Sequence, residues 1–157
     1  MGGWDPTVTN ELAEDNEVIL FDNAGVGATG GTCPSTVAAM ARNCATLCAA
    51  LSLTQVDIVG YSLGGMIAQQ LAQDDPQLMR RLILLGTGPR SGEGMTFTDI
   101  SPEEQVADPI AFLLAALFAP SEASQNAGRA HVARIASRTQ DRDLPVSAFD
   151  HNRTSSG

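Results

Sequence analysis

The stretch of this sequence best suited to covalent chemistry is Gly60-Tyr61-Ser62-Leu63-Gly64-Gly65. A serine with glycine two residues before and two residues after it fits acyl transfer when a strand leads in and a helix leads out. The glycines permit a tight strand-to-helix turn where a Cβ would collide with neighbouring backbone. Such a turn lifts the Ser62 Oγ clear of the sheet. It also aims the Leu63 backbone N–H and the helix N-terminus at a developing oxyanion. The chemistry implied is attack of Ser62 on a carbonyl carbon, with Leu63 N–H as an oxyanion donor. The competing reading is an ordinary turn in which Ser62 merely caps the helix.

The elements around this stretch supply the required setting. Glu17–Phe21, Val56–Gly60 and Leu82–Leu85 are short and nearly continuous in apolar character, as parallel strands covered on both faces are. From Ser35 to Leu51, Val37, Met40, Ala41, Cys44, Leu47, Cys48 and Leu51 form one stripe at helical spacing, and Ser35 or Thr32 is the expected cap. A second helix is predicted from just after Ser62 to about Gln73. It stops at Asp74-Asp75-Pro76, since a residue before proline resists helical geometry. Strand, helix, strand, helix, strand in that order predicts a parallel sheet. After Gly86 the character changes. Thr87–Glu104 reads as a loop, Asp108-Pro109 opens an apolar helix, Pro120-Ser121 breaks it, and a further helix containing Gly128 runs to about Arg138. The polar tail from Thr139 to Gly157 has no clear period.

Composition narrows the function classes. A net charge of −9, with no cluster of Lys or Arg, disfavours nucleic acid and anionic lipid as partners. The longest apolar run, Ile110–Ala119, is too short to span a bilayer. The N-terminus lacks the basic and apolar segments of a signal peptide, and Pro6 stands where myristoylation wants Ser or Thr. Three cysteines, Cys33, Cys44 and Cys48, make an odd number, which argues against a disulfide framework and for a reducing compartment. The expectation is a cytoplasmic protein. Asn23–Gly30 contains Gly-x-Gly-x-x-Gly, the dinucleotide fingerprint, but no helix is predicted directly after it and Asp22 precedes the glycines. It carries little weight.

The segment from Trp4 to about Gly88 resembles the α/β-hydrolase superfamily, specifically small hydrolases described as serine esterases or cofactor-free haloperoxidase-like proteins. The resemblance is carried by Trp4-Asp5-Pro6, by Val18–Gly27, by the turn at Ser62 and by Leu82–Gly86. The second of these departs from the family pattern, because Ala24 stands at a position usually held by Arg. The resemblance implies a partial α/β-hydrolase fold: a parallel sheet of about three strands flanked by helices, plus a helical cap segment. Residues 1–88 would form the partial core, and residues 89–157 the cap-like segment and tail. It implies an enzyme that hydrolyses a small ester-like acyl substrate through Ser62, with no metal or organic cofactor. A pocket lined by Phe112, Leu113, Leu117 and Phe118 would receive the substrate.

The same resemblance implies collaborators that the sequence does not display plainly. The family pairs its serine with a carboxylate and a histidine that follow it in the chain, and with a second oxyanion donor on an upstream loop. Candidate acids are Asp99, Asp108, Asp141, Asp143 and Asp150, and candidate bases are His131 and His151; none follows a recognisable strand. The chain is therefore expected to be an incomplete copy, shortened at both ends, with its activity impaired. Losing the base of a working triad costs roughly 10⁶-fold in turnover. The alternative is a non-catalytic fragment or pseudoenzyme that acts, if at all, as an interaction module.

Overall fold

The computed structural model describes residues 4–89 and 108–138. In chain order these form α1 (Pro6–Asp15), α2 (Val37–Ala50), β1 (Val56–Tyr61), α3 (Leu63–Asp74), β2 (Met79–Leu85), α4 (Pro109–Leu117) and α5 (Glu122–Ser137). The chain divides into two units. Asp22–Met95 holds α2, β1, α3 and β2, and Met1–Phe21 with Thr96–Gly157 holds α1, α4 and α5. The division implied by the resemblance, residues 1–88 and 89–157, leaves α1 with the sheet. In the structure α1 packs on α5 instead.

In the first unit β1 and β2 pair in parallel, with α3 as the crossover between them. The ladder opens where Val56 N–H donates to Leu78 O (2.8 Å) and runs to Tyr61 beside Leu85, with one irregularity between Val56 and Asp57. Arg80 grips Asp57 with two hydrogen bonds of 2.7 Å. Such an exposed pair adds little stability, but its fork geometry helps define the register. The core lies under the helices. Ala41, Cys44 and Cys48 of α2 meet Leu71 of α3 and Leu78, and Val56, Ile58 and Ile67 pack against them. Of the stripe read at helical spacing, Ala41, Cys44 and Cys48 are buried, Val37, Met40 and Leu47 are half-buried, and Leu51 is exposed just past the end of α2. Burial and the neighbouring Cys48 push the Cys44 thiol up to about 11, so it packs as a small apolar residue.

Two expectations about the sheet are corrected. Residues 17–21 form no strand, and among the described residues the sheet has two strands. Apolar character specifies a wish for burial, whereas a strand exists only through a hydrogen-bonded neighbour. Residues 17–21 have none among the described residues. Nor are the paired strands covered on both faces, since Ile83 is 45% exposed and Leu85 40% exposed. Among the described residues only α3 packs on both strands.

The helix ends follow local rules. Thr36, one residue beyond Ser35 and four beyond Thr32, the expected caps, accepts from Ala39 N–H (3.2 Å) at the start of α2. Asp108 accepts from Ala111 N–H (2.9 Å) ahead of Pro109, so its carboxylate is a helix cap. Ser121 caps α5. Gly128, which sequence propensity marks as a weak point, lies where side chains of α4 and its C-cap Phe118 press against α5. A Cβ there would lie 2.5 Å from Leu114 Cδ2 and 2.8 Å from Phe118 Cδ2. In the same unit Asp5 caps α1 through Thr7 N–H (3.0 Å) and is itself buried. Its carboxylate also takes His131 Nδ1 (2.9 Å) and Arg134 Nε (2.9 Å) from α5.

Candidate active site

Ser62 sits between the last residue of β1 and the first residue of α3. Its own N–H donates to Leu85 O (3.0 Å), which extends the parallel ladder one step past the strand and anchors the turn to β2. The backbone at Ser62 then takes φ 51° and ψ −120°, and the residue is exposed. A non-glycine residue in this region costs on the order of 1–3 kcal/mol and persists only where its surroundings enforce it.

The enforcement comes from Gly60 and Gly65. A Cβ at Gly60 would lie 2.7 Å from Gly64 O and 2.7 Å from Gly65 Cα, so the strand end and the helix start can approach only because that atom is missing. A Cβ at Gly65 would overlap the side chain of Thr87. Gly64 is different, with nothing within 4 Å of a Cβ added there. The collision with backbone read for the glycines thus holds at position 60; at position 65 the clash is with the Thr87 side chain, and among the described residues position 64 meets nothing.

The geometry also sets Ser62 apart from the residues that start the other described helices. The other four helices among the described residues begin with a residue whose side chain accepts a hydrogen bond from a backbone amide of the first turn, and each of those residues has negative φ. Ser62 makes no such side-chain bond. The hydroxyl is not spent on the helix. At the same place the helical pattern leaves the Leu63 and Gly64 amides with no acceptor inside α3, and they stand at the positive end of its dipole. An exposed hydroxyl beside two oriented amides can attack a carbonyl and hold the resulting oxyanion.

Residues not singled out in the sequence complete the turn. Thr87 Oγ1 donates to Ser62 O (2.7 Å), and Gln69 Nε2 donates to both Gly88 O (3.0 Å) and Gly65 O (3.2 Å). Together they tie the residues after β2 to the first turns of α3. Gln69 is one helical repeat from Gly65, which is legible in the sequence, but its reach to Gly88 is not. Among the candidate acids and bases, Asp108 caps α4 and His131 is engaged with Asp5. Asp99, Asp141, Asp143, Asp150 and His151 lie outside the described residues. Of the expected pocket residues, Phe112, Leu113 and Leu117 lie on α4 and Phe118 ends it; Leu117 is exposed and the other three are half-buried.

Asn23–Gly30 forms a loop bonded to itself. Gly25 N–H donates to Gly30 O (3.1 Å) and Val26 N–H to Asn23 O (3.0 Å). The next helix opens only at Val37, so no helix N-terminus meets these glycines as the dinucleotide pattern requires. Among the described residues no group of three or more His, Cys, Asp and Glu side chains is placed to hold a metal ion, and no helix is long and apolar enough to cross a membrane.

Comparison with known proteins agrees with this geometry. A solved alpha/beta hydrolase fold protein from Chitinophaga pinensis superposes with a TM-score of 0.83 at 36% identity, covering 91% of this chain and 52% of that one. A proposed carbamate hydrolase (RutD) of Rhizobium rhizogenes is 37% identical over 84 residues, which are 52% of this chain and 32% of that protein. A proposed non-heme bromoperoxidase (BpoC) of Mycobacterium tuberculosis is 34% identical over 95 residues, covering 60% of this chain and 36% of its own length. The chain thus spans about a third of the length of the curated relatives it matches. The family model for the alpha/beta hydrolase fold matches residues 2–146. With a strand, a strained serine turn and a helix in the family's order, the chain belongs to the alpha/beta hydrolase fold family.

Proposed function

We propose that this chain carries the nucleophile and one oxyanion donor of a serine hydrolase acting on a small ester-like acyl substrate. Ser62 is the nucleophile and the Leu63 backbone N–H the donor. The observation that carries the reading is the backbone of Ser62, strained at φ 51° and ψ −120° yet making no capping bond. A serine serving only as a cap has no need of that strain. In the reaction Ser62 Oγ bonds to the acyl carbon, its proton passes to a base, and the carbonyl oxygen becomes an oxyanion facing Leu63 N–H. Collapse expels the alcohol, and water then releases the acid. One such donor is worth about 3 kcal/mol of transition-state stabilisation. The carbonyl carbon of a carbamate, the substrate in the name of one relative, reacts by the same route.

A fluorophosphonate probe tests the assignment, read by intact mass for this chain and for its Ser62→Ala variant. The parent is expected to gain one probe mass at Ser62 and the variant none. Equal labelling of the two, or none in either, removes Ser62 as an activated nucleophile. The second reading, a non-catalytic module, rests on His131 and Asp108 being engaged elsewhere. The absence of labelling favours it.

A further inference from the structure

Thr87 follows β2 by two residues, on the segment next to the serine turn, and its hydroxyl donates to a single acceptor there, Ser62 O, at 2.7 Å. That carbonyl belongs to the same peptide unit as the Leu63 N–H. The peptide is planar and trans, so the direction of the carbonyl determines the opposite direction of the amide. Ser62 O also accepts from Gly65 N–H (2.9 Å) and from Met66 N–H (3.4 Å). Those two bonds are the ordinary first bonds of a helix. The Thr87 bond comes from outside the helix, and it is the shortest of the three.

We propose that Thr87 is a positioning residue that orients the Ser62–Leu63 peptide and strengthens its N–H as the oxyanion donor, an inference that rests on the nucleophile reading of Ser62. Two physical effects act together. The hydroxyl restrains rotation of the peptide plane at a residue whose backbone is already strained, so the amide meets the oxyanion without reorganising. A third donor on the carbonyl also withdraws charge from the peptide, and hydrogen bonds linked in this way polarise one another. Thr87 is itself held in place, because its side chain occupies the space a Cβ at Gly65 would fill and Gln69 holds the adjacent Gly88 carbonyl. Thr87 touches no reacting atom. It acts through Leu63.

Thr87→Val keeps the branched shape that packs on Gly65 and removes only the hydroxyl, whereas Thr87→Ser keeps the hydroxyl and removes the methyl. The test reads the Leu63 amide in proton–nitrogen correlation spectra of the full chain, alongside the rate of fluorophosphonate labelling. In Thr87→Val the Leu63 amide proton moves upfield and labelling slows about tenfold, short of the 10²–10³-fold lost when a donor is removed outright. In Thr87→Ser both stay near the parent values. An unmoved Leu63 amide in a folded Thr87→Val chain overturns the proposal, and so does an equal change in Thr87→Ser, which would assign the effect to packing. Should the parent show no labelling at Ser62, the nucleophile reading fails. The amide shift still decides whether Thr87 orients the peptide.

Discussion

Gly60 and Gly65 approach so closely that a Cβ on Gly60 would stand 2.7 Å from the Gly65 Cα, closer than unbonded carbons come. The strained turn at Ser62 depends on that approach. The third glycine of the motif, Gly64, faces open space among the described residues and has no positive φ.

The three glycines therefore differ in their tolerance of a methyl group. Gly60→Ala is expected to destabilise the chain by about 2 kcal/mol through overpacking against backbone that cannot move aside. Gly64→Ala, inside the first turn of α3, is expected to leave stability unchanged or raise it by up to ~1 kcal/mol through helix propensity. Urea unfolding of the two variants beside the parent measures this. Equal losses at both positions would contradict the geometry.

Strain at Ser62 makes a second expectation. Ser62→Gly relieves the unfavourable φ and ψ, and Ser62→Ala does not. The glycine variant should be the more stable of the two by about 1 kcal/mol, while neither reacts with a fluorophosphonate. Paired thermal melts decide the first part and intact mass the second.

Asp5 brings a pH dependence to the helical unit. The Arg134 guanidinium, helped by Thr7 N–H and His131, holds the buried Asp5 carboxyl well below the usual carboxylate range, against the opposing effect of burial. The unfolded chain takes up a proton near 3.8 while the folded chain still holds Asp5 charged. The resulting stabilisation is complete above that value and is lost as the pH falls below it. Acid titration followed by circular dichroism should show a loss of stability below about pH 4 that is smaller in an Asp5→Asn variant. The same slope in both would detach the effect from Asp5.

Gly128 sets two effects of opposite sign against each other. Alanine there gains about 1 kcal/mol of helix propensity. It also drives a methyl group to 2.8 Å from the Phe118 ring at the α4–α5 crossing, which costs about 1–3 kcal/mol. A net loss of about 1 kcal/mol is expected, since the ring cannot yield as readily as the end of Leu114. A melting temperature at or above the parent's would show that α4 shifts freely on α5.

Much of this molecule follows from local rules that a sequence displays. The helix after Asp108-Pro109, the stop at Asp74–Pro76 and the buried residues of α2 each depend on residues within a few positions of one another. Over so short a span, spacing and backbone preference decide the outcome. What only the tertiary structure decided lies across longer distances. Residues 17–21 have the composition of a strand, yet a strand is made by its neighbour, and none stands there among the described residues. Thr87 reaches Ser62 across 25 residues and His131 reaches Asp5 across 126, by hydrogen bonds that no periodicity encodes. Whether the serine caps its helix or stands clear of it is also written in φ and ψ. The same six letters permit both conformations, and the packing of Gly60 on Gly65 selects one.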